Sequence, residues 1–237
     1  MRLAAIAMIP VVPTQSHVRE HGSVLAAAEK RLLVWLARRL ALWVNSDHLT
    51  ALGAVSMIGA GAAFAAVPRW PGALALVPLM LALNWFGDSL DGTVARVRGH
   101  QRPRYGYYLD HVVDLFNSTA LFVGMACSGL MHPMLALGLL VAYLLLCAES
   151  FLATHALGVF RLSFSGFGPT ELRIVLSVGA LVVLAKPVVA PFGLGPFALF
   201  DIGGGVALAG MAIAFVTTAF QNTRTLYRAE PPTAGGE

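Results

Sequence analysis

The chain has 237 residues, of which 57% are hydrophobic and only 12% charged, and its mean hydropathy is +0.74. Soluble domains carry about twice that charged fraction, so the composition excludes an ordinary soluble protein and a disordered one. The formal net charge is +4, and the two cysteines lie inside apolar runs without the spacing of a zinc site or a disulfide framework. We therefore expect an integral membrane protein.

The N-terminal part of the chain divides into a tail and a helix. Residues 1–25 form a tail to which we assign no structure, because Pro10 and Pro13 interrupt its short apolar run and no clear signal-peptide cleavage site follows. Residues 26–44 repeat apolar side chains at helical spacing, with four basic residues between them: Lys30, Arg31, Arg38 and Arg39. This pattern is typical of an amphipathic helix that lies in the membrane interface and is too charged to cross.

Six apolar runs follow, each near the length of about 20 residues that crosses a bilayer core. They cover approximately 48–67, 72–96, 107–130, 133–157, 171–190 and 204–223. Proline and glycine fall between the runs, where helix breakers belong. The sequence predicts an all-α membrane domain over residues 26–226 with six transmembrane helices, followed by a cytoplasmic tail at 227–237.

Lysine and arginine are distributed unevenly between the two sides of these spans. With a cytoplasmic N-terminus, fourteen of the sixteen Lys and Arg residues face the cytoplasm, and only Arg69 and Lys186 lie outside. This bias favours the inner, cytoplasmic membrane of a cell, and it explains the basic charge through topology and attraction to anionic lipids. A short basic loop between two spans (96–104) is a poor DNA surface, so we expect no nucleic-acid partner.

Four aspartates lie in the second and third predicted spans, near the ends that face the loop between them. Asp88 and Asp91 are three residues apart, Asp110 and Asp114 four apart, so each pair shares one face of its helix. Ionised groups in a bilayer segment cost roughly 2.5–3.5 kcal/mol each at the helix centre, so they are expected to face a polar partner. Four carboxylates together repel one another unless a cation neutralises them, and oxygen ligands favour magnesium, manganese or calcium.

Small residues and an arginine accompany the aspartates. Gly92 and Ala95 follow Asp88 on the same stripe, and Gly106 precedes Asp110 by one turn, so a ligand can approach the backbone closely. Arg96, one turn beyond Gly92, can hold phosphate oxygens bidentately. Carboxylates for metal and arginine for phosphate together indicate phosphoryl-transfer chemistry.

This pattern resembles the signature of the CDP-alcohol phosphotransferases, also called CDP-alcohol phosphatidyltransferases. All eight signature positions are filled, in the order Asp88-x2-Asp91-Gly92-x2-Ala95-Arg96-x9-Gly106-x3-Asp110-x3-Asp114. The resemblance implies six transmembrane helices after an amphipathic helix, a polar cavity open to the cytoplasm, and a homodimer. It also implies phospholipid biosynthesis, in which a phosphate-linked alcohol moves from a CDP-activated donor to an acceptor hydroxyl and CMP is released.

The same resemblance implies a role for each signature residue. Asp88, Asp91 and Asp110 would bind two Mg²⁺ or Mn²⁺ ions, while Asp114 would be the general base with a possible contact to the second metal. The cytidine diphosphate of the donor would be bound by four residues: Gly92, Ala95, Arg96 and Gly106. No organic cofactor is expected.

Several other residues carry two interpretations each. Asn45 and Thr50 are either near the nucleotide or part of a helix cap. In the loop before the fifth span, Thr170, Glu171 and Arg173 are candidates for acceptor binding, and a capping box with a topological arginine is the alternative. Glu149, inside an apolar run, either lines the cavity or pairs with His155.

Two functional alternatives remain beside transfer from CDP-diacylglycerol to a small polar acceptor such as a glycerol phosphate, an inositol phosphate or serine. The first is a CDP-choline or CDP-ethanolamine:diacylglycerol phosphotransferase, supported only by His111 directly after Asp110. The second, of a different class, is a cation-coupled transporter, since intramembrane carboxylates also mark ion pathways. Clustering of the carboxylates on two adjacent helices favours the enzyme.

Overall fold

The computed structural model describes residues 18–19, 26–160, 169–185, 188–189 and 197–230. The described residues form seven α-helices and one 3₁₀ helix: α1 (Ala26–Arg39), α2 (Ser46–Ala66), the 3₁₀ helix (Pro71–Ala75), α3 (Leu76–Val97), α4 (Pro103–Cys127), α5 (Pro133–Leu157), α6 (Pro169–Ala185) and α7 (Leu199–Ala229). Two ladders of two residues each complete the described part, β1 (Val18–Arg19) parallel to β2 (Val159–Phe160), and β3 (Val188–Val189) antiparallel to β4 (Phe197–Ala198). The predicted all-α class is confirmed.

Each predicted span overlaps one helix or a 3₁₀ helix and its continuation, but the predicted span 171–190 is too long, since α6 ends at Ala185 and Val188–Val189 is a strand. Four helical stretches are long and apolar enough to cross a membrane: Ser46–Ala66, Pro71–Val97, Pro133–Leu157 and Leu199–Ala229. Of the other two, α4 has 25 residues but carries three charged residues in its first twelve, and α6 has 17 residues. A membrane protein is therefore supported by length and composition, while the count of six spans stays a prediction.

Local signals in the sequence set several helix ends. Asn45 caps α2, because its side chain accepts a hydrogen bond from the His48 backbone N–H at 2.9 Å while His48 Nδ1 accepts from the Asn45 N–H at 3.4 Å. The capping interpretation of Asn45 is confirmed. Pro103 and Pro133 open α4 and α5, where a missing N–H costs nothing. Gly158 ends α5 at φ +71°, a conformation that favours glycine.

The first helix is shorter than predicted, since α1 ends at Arg39 and not at residue 44. Arg98, just after α3, donates hydrogen bonds to backbone carbonyls of the linker that follows α1, at 3.0 Å to Leu40, 3.2 Å to Ala41 and 3.3 Å to Leu42, and also to Val44. These carbonyls are therefore bound by a guanidinium and not by helix N–H groups. The linker is fixed to the loop between α3 and α4.

The last helix is longer than predicted, because α7 begins at Leu199 and continues to Ala229, past residues 223 and 226. Its end carries Arg224 and Arg228, so the apolar run stops before the helix does. The first residues of the predicted tail 227–237 are thus helical. The predicted N-terminal tail is described only at Val18–Arg19, and the positions of Arg161, Gly168 and Lys186 lie outside the described residues.

The six long helices pack as a ring. Neighbours in contact are α2 with α3, α3 with α6, α6 with α7, α7 with α5, α5 with α4, and α4 with α2. The core lies inside one end of the ring, where Phe64 of α2 meets Phe200 of α7 edge to face with ring centroids 5.8 Å apart. Outside the ring, α1 buries Leu33 and Ala37 against Leu90 and Val94 of α3. The interior of the other end is left for polar groups.

Glycines bring three of these helices into backbone contact. A Cβ built at Gly124 of α4 would overlap the carbonyl oxygen of Gly61 on α2, and one at Gly87 of α3 would lie 2.5 Å from the backbone N of Gly53 and from the carbonyl O of Leu49. Only glycine permits such an approach. The backbones of α2, α3 and α4 are thereby held together beside the aspartates.

Candidate active site

Three of the four aspartates converge. One carboxylate oxygen each from Asp88, Asp110 and Asp114 lies within 4.8 Å of the others, and all three side chains are partly buried. Asp88 is supplied by α3, and Asp110 and Asp114 lie one turn apart on α4. The short loop between α3 and α4 brings Asp88 and the α4 pair to one end of the ring, where α2 packs against both helices, so the predicted convergence is observed for these three residues. We call this end the aspartate end.

Asp91 is held separately by its neighbours. Thr50 Oγ1 of α2 donates a hydrogen bond of 2.7 Å to Asp91 Oδ2, and the Gly92 backbone N–H donates to Asp91 Oδ1. Asp91 does not belong to the group of three whose oxygens converge, but it lies one turn from Asp88 on the same helix. The contact also shows where Thr50 points, which is toward the aspartates.

Arg173, one of the predicted acceptor-binding residues, reaches the aspartate cluster. Its Nη2 donates to Asp88 Oδ2 at 2.5 Å, and its Nε donates to Asn84 Oδ1 at 2.7 Å. Asn84 is itself fixed, because its Nδ2 donates to the Gly53 carbonyl at 2.9 Å. The guanidinium is therefore part of the charge balance of the cluster.

The other two predicted acceptor residues differ in their surroundings. Thr170 Oγ1 donates to Glu29 Oε1 of α1 at 2.8 Å, and the same oxygen accepts from Trp85 Nε1 of α3 at 2.7 Å. Thr170 is the second residue of α6, so it is not the residue that precedes the helix as an N-cap does. Glu171 lies in the first turn of α6. Glu29 thus joins three helices next to Arg173.

A small cavity of about 10 Å³ lies between α2, α3 and α4. Its lining includes Thr50, Asn84, Asp88, Asp110 and Asn117. Asn117 is 5% exposed, and among the described residues nothing forms a hydrogen bond with its Oδ1. Carboxylate oxygens with a buried, unpartnered amide oxygen form a donor set that suits a hard divalent cation.

The predicted donor-binding residues lie beside the aspartates on a surface with an accessible backbone. A Cβ at Gly106 would meet nothing within 4 Å, whereas one at Gly92 would lie 3.3 Å from Arg96 Nη1. Arg96 Nη2 donates to Thr93 Oγ1 at 2.9 Å. Ala95 is partly exposed on the same helix. The Arg96 guanidinium thus occupies the space beside Gly92 that the side chain of a larger residue would need.

Three site residues were missed from the sequence: Asn84, Asn117 and Glu29. A signal existed for two of them. Asn84 precedes Asp88 by four residues and Asn117 follows Asp114 by three, so each amide shares a helical face with an aspartate inside an apolar run. Glu29 lies in α1, far from the motif in sequence, and no local pattern links it to Thr170.

Two further polar residues have defined surroundings. Glu149 lines a cleft between α5 and α7, and its Oε1 accepts a hydrogen bond of 2.6 Å from Asn222 Nδ2 of α7, where the sequence offered His155 as the partner. His111 is buried, with its ring 4.1 Å from that of Tyr107 and 5.2 Å from that of Phe151. Its Nδ1 lies 2.6 Å from the Tyr107 carbonyl oxygen. The observed surroundings of His111 are those of a packed residue.

Comparison with known proteins supports the motif. The sequence model of the family described as CDP-alcohol phosphatidyltransferase matches residues 43–220. No curated protein matches the sequence at a significant level. Among solved structures, the chain is similar to that of Mycobacterium tuberculosis phosphatidylinositol phosphate synthase (PgsA1) with CDP-DAG bound, with 25% identity, a TM-score of 0.58, and coverage of 87% of this chain and 98% of that one. The family match includes all four aspartates.

Proposed function

Because this chain belongs to the CDP-alcohol phosphatidyltransferase family, we propose that it transfers the phosphatidyl group of CDP-diacylglycerol to the hydroxyl of a small polar acceptor and releases CMP. The observation that carries this proposal is the convergence of Asp88, Asp110 and Asp114 within 4.8 Å at the family motif. The choice of donor is supported by PgsA1, which is similar over 98% of its length and has CDP-DAG bound.

We propose that Asp88, Asp91 and Asp110 hold two divalent ions, Mg²⁺ or Mn²⁺, and that Asp114 also contacts the second ion. The oxygen-rich cavity with the unpartnered Asn117 Oδ1 supports this assignment. Metal ions bound there would neutralise the donor's pyrophosphate and stabilise its leaving oxygen. Thr50 orients Asp91 through its 2.7 Å hydrogen bond, as outer-shell partners of metal ligands do.

The donor is proposed to lie against Gly92, Ala95, Arg96 and Gly106. The open backbone at Gly106 admits the nucleotide, and the Arg96 guanidinium is placed for its phosphate oxygens. Arg173 of α6 has a different task, because its hydrogen bonds to Asp88 and Asn84 keep the Asp88 carboxylate in place.

In the transfer step, the acceptor oxygen forms a bond to the phosphorus that carries diacylglycerol. The bond from that phosphorus to the bridging pyrophosphate oxygen breaks, and CMP leaves with the electron pair. Asp114 takes the proton of the acceptor hydroxyl, which suits a carboxylate on the same face as Asp110 and within reach of the cluster. The products are a phospholipid and CMP.

We propose that α1 lies in the interface of the inner membrane, that six helices span it, and that the aspartate end faces the cytoplasm. Leu32 and Trp35 of α1 are 45% and 49% exposed, while Leu33 and Ala37 are buried, so one face of α1 is available to lipid. The positive-inside distribution supports the orientation. A homodimer is carried over from the family resemblance.

In the sequence, CDP-choline and CDP-ethanolamine are supported as donors only by His111, which packs between Tyr107 and Phe151. The similar structure, that of PgsA1, has CDP-DAG bound. We therefore retain CDP-diacylglycerol as the donor.

The test is CMP release by the purified protein from CDP-diacylglycerol with Mg²⁺ and a panel of acceptors, with lipid analysis of the product. We expect CMP release that depends on acceptor, disappears on chelation and returns with Mg²⁺ or Mn²⁺. Absence of CMP release with every acceptor, or release only from CDP-choline or CDP-ethanolamine with diacylglycerol, would overturn the proposal.

A further inference from the structure

A second and much larger cavity lies between α5 and α7, with a volume of about 340 Å³. Six polar residues line it: Glu149, Ser150, Thr218, Gln221, Asn222 and Thr225. The volume falls within the range of roughly 300–1,000 Å³ typical of small-molecule sites. The cleft is open, because Gln221 and Thr225 are exposed, and Glu149 is held by Asn222 at its wall, so a ligand can reach its polar groups.

The helical phase indicates that this cleft opens toward the interior of the ring. An α-helix has about 3.6 residues per turn, so two positions that are about 18 residues apart are separated by five full turns and share one face. Thr218 lies five turns after Phe200, which faces the ring interior against Phe64. On α5, Leu157 lines the cleft and lies five turns after Leu139, which belongs to the same core as Phe64. Both walls of the cleft therefore continue inward-facing stripes.

The cleft lies at the depth of the aspartates. The Phe151 ring of α5 is 5.2 Å from the His111 ring, and His111 directly follows Asp110. Ser150, in the cleft wall, directly precedes Phe151. The cleft and the aspartate cluster thus occupy the same level of the bundle, on different walls of the ring.

The chemistry of the lining selects the ligand. Glu149 supplies a carboxylate, and the remaining polar lining residues are amides and hydroxyls, with no Lys or Arg among the described residues that line the cleft. A carboxylate attracts hydroxyl and ammonium donors and repels a phosphate. The basic residue predicted for acceptor recognition, Arg173, is instead hydrogen-bonded to Asp88 and Asn84.

We propose that the cleft between α5 and α7 binds the acceptor alcohol, and that it selects an acceptor with hydroxyl or ammonium donors and without a phosphate group. The proposal rests on the transferase function stated above. Glu149 and Asn222 are its central residues: Asn222 orients the carboxylate through the 2.6 Å hydrogen bond, and the remaining lone pairs of Glu149 accept from the acceptor. A phosphate group on the acceptor, as in glycerol 3-phosphate, would lie near the Glu149 carboxylate and be repelled by it.

The first experiment compares acceptors in the CMP-release assay with the full chain, CDP-diacylglycerol and Mg²⁺. The probes are myo-inositol, glycerol, serine and ethanolamine, each matched where possible with its phosphate ester: myo-inositol 1-phosphate, glycerol 3-phosphate and phosphoserine. We expect at least one unphosphorylated acceptor to give a kcat/KM at least tenfold above that of every phosphate ester. A preference for a phosphate ester overturns the cleft proposal and leaves the transferase function standing, whereas no CMP release with any probe overturns both.

The second experiment assigns the recognition to Glu149. Glu149→Leu is expected to raise the KM for the acceptor at least tenfold while the KM for CDP-diacylglycerol stays within twofold. Glu149→Gln distinguishes amino alcohols from polyols, because glutamine keeps an accepting oxygen but loses the charge. The KM for an amino alcohol is expected to rise about tenfold, and the KM for a polyol only a few fold. Glu230→Gln, the same change at an exposed carboxylate at the end of α7, is the control.

Two outcomes of the second experiment contradict the proposal. An unchanged acceptor KM in Glu149→Leu removes Glu149 from recognition. Equal increases in the KM values of donor and acceptor, with a lowered unfolding temperature, indicate a structural role for the Glu149–Asn222 pair.

Discussion

The two sides of the ring are built differently. On the side of α2, α3 and α4, backbones touch through Gly61 and Gly124 and through Gly53 and Gly87. On α7, a Cβ at Gly203, Gly205 or Gly210 would meet nothing within 4 Å, and one at Gly204 would meet side chains first, the nearest being that of Met131 at 2.7 Å. Correspondingly, 44% of the most apolar 18-residue segment of α2 is buried, whereas 11% of the most apolar 18-residue segment of α7 is buried. The proposed metal and donor site therefore lies on a closely packed framework, and the proposed acceptor cleft lies on a loosely packed one.

This difference has a functional consequence. Metal ligands must be held within fractions of an ångström, and rigid backbone contacts supply that precision. An acceptor cleft formed by α5 and α7 can change its side chains without moving the aspartates, because α7 contacts mainly α5. One catalytic framework can thereby serve different acceptors.

The largest effect is expected on the closely packed side. Asp114→Asn removes the proposed proton acceptor, and we expect kcat for CMP release to fall about 10²–10⁴-fold. Asp201→Asn is the matched control, since Asp201 lies at the start of α7 and accepts a hydrogen bond of 2.7 Å from the His132 backbone N–H, which an asparagine oxygen can also accept. An undiminished rate in Asp114→Asn would show that another group accepts the proton.

A smaller effect is expected from the residue that orients Asp91. Thr50→Val keeps the shape of the side chain but removes the 2.7 Å hydrogen bond to Asp91. Outer-shell partners of metal ligands contribute about 10–100-fold to metal affinity, so the Mg²⁺ concentration for half-maximal activity should rise by about that factor. Thr217→Val, which removes a hydroxyl that donates to the carbonyls of Ile213 and Ala214 in α7, is the control. An unchanged Mg²⁺ dependence in Thr50→Val would show that the hydrogen bond from Thr50 does not support metal binding by Asp91.

The same division governs what the sequence could predict. The motif and the helical period placed Asp88, Asp110 and Asp114 together, because those residues lie on two consecutive helices near the short loop that joins them. For Glu149 the sequence left open a place in a cavity wall or a pair with His155, and it did not indicate Asn222, which is 73 residues away and on another helix. Contacts between elements distant in sequence, such as that of Glu29 in α1 with α6, leave no periodic signal. Helix identities and local faces were therefore predictable, and the assembly of the ring was not.

Stability should also differ between the two sides. Gly124→Ala places a methyl group against the carbonyl of Gly61, and overpacking of this kind typically costs about 1–3 kcal/mol. Gly210→Ala on α7 has open space, and the higher helix propensity of alanine is expected to stabilise by up to about 1 kcal/mol. Unfolding of both variants by SDS titration in mixed micelles measures the contrast. Equal destabilisation would mean that α7 packs as closely as α2 does, with a partner such as a second copy of the chain.

The smallest effect is expected where the closely packed side meets solvent. Arg102 Nη2 and Asp47 Oδ1 form an exposed ion pair at 2.5 Å that links the starts of α4 and α2. The hydrogen bond to Asp47 raises the pKa of Arg102, so the guanidinium stays charged throughout the neutral range, and the contribution of Arg102 is lost only at strongly alkaline pH.

Exposed pairs of this kind contribute little to stability and are screened by salt. Asp47→Asn should therefore shift the SDS midpoint of unfolding less than Gly124→Ala does, and less again at high salt, with an unchanged kcat. A tenfold loss of kcat would instead mean that the first turn of α4 depends on this pair. Since Asp110 lies two turns further along α4, the framework of the aspartate cluster would then extend to the surface loop.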